Sequence, residues 1–131
     1  YDVCLPAPSQ GALAIQCRNT SDLVEVLSKL DHAPTRRCVT AERSFTAAVG
    51  AGCHTPIGAL AAESGGVVKV EGVVASLDGC ELIRMNCEGP ADDSMNTGIR
   101  LAEMFLDSPA AVLIEQSREG VESNTGEQPS S

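Results

Sequence analysis

The sequence predicts an α+β fold: a small domain with a three-stranded antiparallel sheet covered by helices, preceded by a strand and a helix of an upstream α/β lobe that the chain lacks. Three observations carry this expectation. Extended stretches at 57–63, 67–76 and 80–88 are joined by Ser64-Gly65-Gly66 and Leu77-Asp78-Gly79, where glycine supplies the positive φ of tight hairpin turns. Helical apolar spacing flanks them on both sides. Ahead of it all, the continuous apolar run Ala12 to Ile15 follows a Pro/Gly loop, as in a strand buried on both faces of a largely parallel sheet.

Taken in order, Leu23, Val26, Leu27 and Leu30 follow i, i+3, i+4, i+7 spacing after Thr20 and Ser21, either of which can cap a short amphipathic helix. The next helix is expected to start near Pro34, to bury Cys38, Ala41, Phe45, Ala48 and Val49, and to stop at the Gly50, Gly52 cluster. Helical geometry sets the carboxylate of Glu42 among these apolar neighbours and turns Arg43 toward the flank. In the third strand Ile83, Met85 and Cys87 alternate with Arg84, Asn86 and Glu88, so one face is buried and one wet. A meander of three strands cannot bury its apolar face alone, and the helices must cover it. After Gly89-Pro90 come Asp92, Asp93 and Ser94, then a helix carrying Met95, Ile99, Ala102, Phe105 and Leu106, and a last helix over 109–117 presenting Ala110, Val112, Leu113 and Ile114. The expected organisation is 1–30 for a separate unit or a linker, 31–118 for the small domain, and 119–131 for a disordered tail.

Composition bounds function. The chain has 131 residues, 43% of them hydrophobic, and only Tyr1, Phe45 and Phe105 are aromatic, so stacking platforms for bases are not expected. A net charge of −9 repels a polyanion, which argues against nucleic acid. No apolar run approaches the roughly 20 residues a membrane helix needs, and the opening lacks the basic and apolar regions of a signal peptide, so a cytoplasmic location and no membrane partner are expected. The chain starts without Met and enters apolar sequence at once, as expected for the C-terminal part of a longer protein. Its exposed apolar strand is expected to leave the isolated chain poorly soluble.

Six cysteines (Cys4, Cys17, Cys38, Cys53, Cys80 and Cys87) without an export signal are expected to be reduced. No Cys-x-x-Cys pair occurs, and His32 and His54 are not at zinc-finger spacing, so no metal is expected. Cys38, Cys80 and Cys87 fall at core-facing or strand positions and Cys17 closes the first strand, where a thiol behaves as a small hydrophobe. His32 is expected to cap the second helix or lie on the surface. Cys53 differs: it sits in a glycine-rich loop beside His54, where the sulfur is uncrowded and an imidazole can favour the thiolate. Local chemistry leaves two readings open, a covalent-attachment or reactive cysteine and an ordinary small loop residue. Glu42 and Arg43 are either a buried ion pair that positions this loop or a helix surface pair. Gln10-Gly11 is either a binding loop or a turn before a strand. A Cys53-His54 thiol enzyme is a further alternative, weakened because adjacent residues entering a strand point apart.

Glu42-Arg43, Phe45, Val49, Gly52-Cys53 and Thr55-Pro56-Ile57-Gly58 together resemble the cofactor-attachment signature of the hydroxymethylbilane synthase family, also called porphobilinogen deaminases. Leu5 to Arg18, LPAPSQGALAIQCR, resembles that family's LPAxxQGAxxIxCR segment. Ala51 stands where many members have Gly, and the stretch between Arg18 and Thr40 is slightly shorter than usual. The resemblance implies two α/β lobes followed by a small third domain of the kind read above, with 1–30 as the closing strand and helix of an upstream α/β lobe plus linker. It implies that Cys53, beside Gly52, carries a dipyrromethane cofactor through a thioether, and that Gln10 and Gly11 lie near it. Glu42 and Arg43 would anchor the third domain to the lobes and hold the loop. The implied reaction joins four porphobilinogen molecules head to tail into hydroxymethylbilane with loss of ammonia, in tetrapyrrole and haem biosynthesis. The thiolate suits trapping of the electrophilic carbon exposed when ammonia leaves. The catalytic acid and the substrate-binding arginines of this family lie upstream, so no catalytic residue is expected in this chain, which alone is expected to be inactive. A non-catalytic α+β interaction domain with an ordinary loop cysteine is the alternative.

Overall fold

In the computed structural model, residues 4–50 and 55–122 are described; Gly52, Cys53, His54 and the tail beyond residue 122 lie outside them. The element order is α1 (Ser21–Ser28), α2 (Ala33–Val49), β1 (Ile57–Ser64), β2 (Val67–Ala75), β3 (Leu82–Pro90), a 3-10 turn (Ala91–Asp93), α3 (Ser94–Leu106) and α4 (Ala110–Glu122). The sheet is antiparallel with order β1-β2-β3, and the architecture is α+β as the sequence predicts.

Register decides which side chains face the helices. Val70 lies opposite both Ala61 and Cys87, and Val74 opposite both Ile57 and Ile83, so these residues share the inner face with Ala59 and Val68. The other face is laced by the ion pairs Arg84–Glu71 and Lys69–Glu88 across neighbouring strands. Above the inner face lie α2 and α3, whose Phe45 and Phe105 rings meet with centroids 5.3 Å apart, both fully buried. Leu101, Val49 and, from α4, Leu113 and Ile114 complete the core. At Gly98 the two helices approach so closely that a Cβ would collide with the Ala41 carbonyl oxygen.

Several expectations shift, each for a local reason. His32 caps α2 by accepting from Thr35 N–H, with Pro34 in the first turn. Ala48, expected in the core, is exposed, and Glu42 takes its place on the buried stripe. β3 starts two residues later than expected because Asp78 Oδ1 accepts from Cys80 N–H and the Ser76 hydroxyl, widening the turn to 76–81; Cys80 is therefore exposed, not a core thiol. In α3, Ala102 and Phe105 are buried, together with Thr97, Gly98 and Leu101, while Met95 and Leu106 point outward, because contact with α2 runs through Gly98. α4 continues to Glu122, beyond the expected tail start at Glu119, since extending a formed helix adds one hydrogen bond per residue.

The N-terminal stretch departs most. Residues 12–15 form no strand: Leu13 is fully exposed and Ile15 is 60% exposed. The sequence assigns their pairing to an upstream sheet, and they do not extend this one, for Ala59 N–H on the outer side of β1 donates to Pro6 O at 3.1 Å and Ala61 N–H to the Glu42 carboxylate. Residues 5–10 thus lie against β1 and α2, across the boundary expected at residue 30. α1 buries none of its residues and exposes Val24 and Val26; Cys17 and Cys4 are exposed too.

Overpacking at Gly98 is expected to be the most damaging small change in the helix layer. Gly98→Ala should lower the unfolding free energy of this domain by about 1–3 kcal/mol in urea titrations, whereas Met104→Ala on the exposed side of α3 should leave it nearly unchanged.

Candidate functional site

Glu42 is only 5% exposed. A carboxylate taken out of water costs several kcal/mol unless its oxygens are satisfied. Here both are: Oε1 accepts from Ala61 N–H at 2.7 Å and Oε2 from Ser9 N–H at 2.6 Å. Bonds to a charged acceptor contribute about 1.5–3 kcal/mol each, enough to offset the burial. The next residue, Arg43, is exposed and donates from Nε to Ser9 Oγ at 3.1 Å. Glu42 and Arg43 therefore form neither of the two arrangements anticipated for them. Instead of pairing with each other they grip one residue, Ser9, from two sides.

Ser9 sits in a turn held by Gln10 N–H to Ala7 O and by Ala7 N–H to Gln10 Oε1. Its φ is +66°, unusual for a residue with a Cβ, and Gly11 follows at +88°. The bonds to Glu42 and Arg43 stabilise this conformation of Ser9. Nothing in the sequence marks Ser9, because its partners are 33 and 34 residues away. Gln10 and Gly11, both exposed, line a cleft of about 290 Å³ with Cys38, Leu60, Glu42 and Glu63. The Cys38 thiol is pushed up by burial first and by the nearby Glu63 and Glu42 carboxylates second, so it stays protonated at neutral pH. Glu63 is bound by both Nε and Nη2 of Arg37, which ties α2 to β1 and holds the Glu63 carboxyl below its ordinary range. On the other side of the Ser9 turn, Arg43 shares a groove of about 440 Å³ with Pro8, Ser9, Thr46 and Ala47.

Gly52 and Cys53 lie outside the described residues, but both ends of the segment that contains them are described. α2 ends at Gly50, whose φ of +68° and N–H bonds to Ala47 O and Thr46 O form a left-handed cap. On the far side Thr55 is buried and Ile57 opens β1. The structure thus gathers Gln10, Gly11, Glu42 and Arg43 around the Ser9 turn, while α2 leads from Glu42 toward the cysteine.

Fold and site together define an α+β unit that carries a cysteine between a helix and an edge strand and grips a preceding stretch of chain through one buried carboxylate. Residues 36–107 match the family described as porphobilinogen deaminase, C-terminal domain, and the chain belongs to that family. It is 45% identical over 120 residues to the porphobilinogen deaminase of Deinococcus radiodurans, covering 90% of this chain and 38% of that protein. The corresponding protein of Desulforudis audaxviator is 43% identical over 119 residues (90% and 38%), and that of Pelotomaculum thermopropionicum 37% over 120 residues (91% and 38%). The chain thus spans about 38% of the length of these relatives. Among the described residues, no helix is long and apolar enough to cross a membrane.

Glu42→Gln keeps the size of the side chain but puts an amide N–H₂ against one of two N–H donors. It should raise amide hydrogen exchange at Ser9 and Ala61 by about tenfold or more, in proportion to one lost charge-assisted bond, with β2 amides unaffected. The Arg37–Glu63 pair carries a pH signature. Because the folded carboxyl titrates below its ordinary value of 4.5, the pair stabilises at pH above that value and loses its contribution as the pH falls through the folded value. Glu63→Gln should flatten the acid limb of a plot of unfolding free energy against pH and leave its neutral region parallel to that of the wild type.

Proposed function

We propose that this chain is the C-terminal, cofactor-attachment part of a transferase that joins four porphobilinogen molecules into hydroxymethylbilane with release of ammonia. In this reading a dipyrromethane primer is thioether-linked to Cys53, and the enzyme serves tetrapyrrole biosynthesis in the cytoplasm. The observation that carries it is membership of the porphobilinogen deaminase C-terminal domain family over 36–107, a range that includes Cys53 and both of its stems. The relatives bear the name porphobilinogen deaminase, which supports the same substrate here.

The residues present suit such a group. A thiol is the soft nucleophile a thioether requires, and the exposed Arg43 on the groove beside the Ser9 turn is a cation suited to carboxylate side chains. When bound, the dipyrromethane supplies the pyrrole carbon to which further units are added. Cys53 anchors that primer so that the growing product stays with the enzyme. Gly50 ends α2 and releases the chain toward Cys53 at a fixed point. Glu42 and Arg43 hold the Ser9 turn, and with it Gln10 and Gly11, in register with the helix that leads to Cys53. The stretch before Arg18 joins the upstream lobes, which contribute the catalytic acid and the remaining cationic groups; the exposed Leu13, Ile15 and α1 apolar residues supply a surface for them. Without those lobes the chain is inactive.

Intact mass and peptide mapping of the full-length parent isolated from cells test this reading. A mass surplus matching dipyrromethane on the peptide containing Cys53, absent in Cys53→Ala, is the expected result. An unmodified Cys53 in well-folded, full-length protein would sink the proposal and favour a non-catalytic domain.

A further inference from the structure

α4 touches the residues on both sides of 51–54. Arg118 Nη2 donates to Val49 O at 2.6 Å and to Gly50 O at 3.3 Å, so a cation satisfies carbonyls of the last turn of α2, where the helix dipole favours positive charge. The same guanidinium packs so closely over Gly50 that a Cβ there would collide with it. One residue earlier, the buried Ser117 hydroxyl bonds the Thr55 hydroxyl at 3.2 Å, on the opposite stem, and also reaches Ile114 O at 2.7 Å. α4 itself is fixed by Ala110, Leu113 and Ile114, all in the core. Two adjacent residues of one anchored helix therefore hold both ends of a four-residue stretch that includes Cys53, and α4 lies outside the 36–107 range matched by the family.

We propose that α4 is a clamp on the stems of the Cys53 segment, with Arg118 and Ser117 as positioning residues for that thiol. The inference rests on the reading of Cys53 as the attachment site. Tying down both ends of so short a stretch removes conformational freedom before any reaction begins, so the sulfur meets an electrophile from fewer starting positions. Glu115 pairs with Arg118 Nη1 at 3.3 Å on the exposed side, away from the Nη2 that bonds Val49 and Gly50.

The test uses full-length protein and peptide-resolved hydrogen exchange across 48–57, with β2 as internal reference, together with the rate at which Cys53 of unloaded protein gains dipyrromethane from added porphobilinogen, read by intact mass. Arg118→Gln is expected to raise stem exchange about tenfold or more and to slow loading, while β2 exchange stays at the wild-type rate. Arg118→Lys, which retains a cationic donor, should recover part of both, and Glu115→Gln should change neither. Ser117→Ala, which removes only a neutral bond, should act at the Thr55 stem and decides the matter if Arg118→Gln fails to fold. Unchanged stem exchange in Arg118→Gln and Ser117→Ala, or an equal rise in β2, overturns the clamp. A wild-type Cys53 that never gains the adduct overturns the cofactor reading instead, and the exchange rates still decide whether α4 holds the stems.

Discussion

The arrangement of this domain depends on one buried carboxylate. Glu42 occupies a position on α2 where an apolar residue would satisfy the helix stripe, yet it faces an edge strand whose N–H groups need acceptors. An uncovered strand edge invites pairing with another chain. The carboxylate closes that edge with one oxygen and uses the other to fasten the Ser9 turn, while Pro6 O closes the neighbouring N–H. A neutral side chain at this point would leave either β1 or Ser9 with an unsatisfied donor.

α2 gathers the remaining constraints because its faces do different work. Phe45 and Val49 enter the core, Arg37 and Glu42 reach β1, Arg43 turns to the N-terminal stretch, and Gly50 ends the helix in a left-handed cap. The close approach at Gly98 locks α3 onto the same helix. Such a hub transmits position: where the Ser9 turn lies and where α2 ends are both set by one rigid cylinder.

What could be read from the sequence divides along range of interaction. Hairpin glycines, the helical stripe through Phe45, the burial of Glu42 and the break at Gly50 are local, and the three-stranded sheet with its helices follows from them. The resemblance carried by Glu42-Arg43 and by Gly52-Cys53 likewise rests on residues close in sequence, which is why the family was legible. Ser9, Ser117 and Arg118 were not, since each acts on a partner between 33 and 69 residues away and none departs from ordinary turn or helix composition. The run 12–15 reads as a strand of an upstream sheet, which puts its partners outside this chain; within it Leu13 and Ile15 are exposed, and the outer side of β1 is given to Pro6 and Glu42. The rotation of α3 reflects helix crossing geometry at Gly98, which hydrophobic spacing alone does not encode.

The separation between Arg118 and Val49 bears on the order in which the protein is made. A chain emerging from the ribosome presents α2 and β1 well before α4, and domains acquire structure as their parts become available. Sheet pairing and the Phe45–Phe105 contact can form once α3 has emerged, whereas the carbonyls at the end of α2 meet Arg118 only when sixty-nine more residues have followed Val49. During synthesis the sheet and the α2–α3 contact can therefore form first, and α4 adds both the last part of the core and the ties at the ends of the cysteine segment. A chain that has emerged only as far as α3 can hold the sheet and the Phe45–Phe105 contact, but it has neither the α4 part of the core nor the Arg118 and Ser117 contacts.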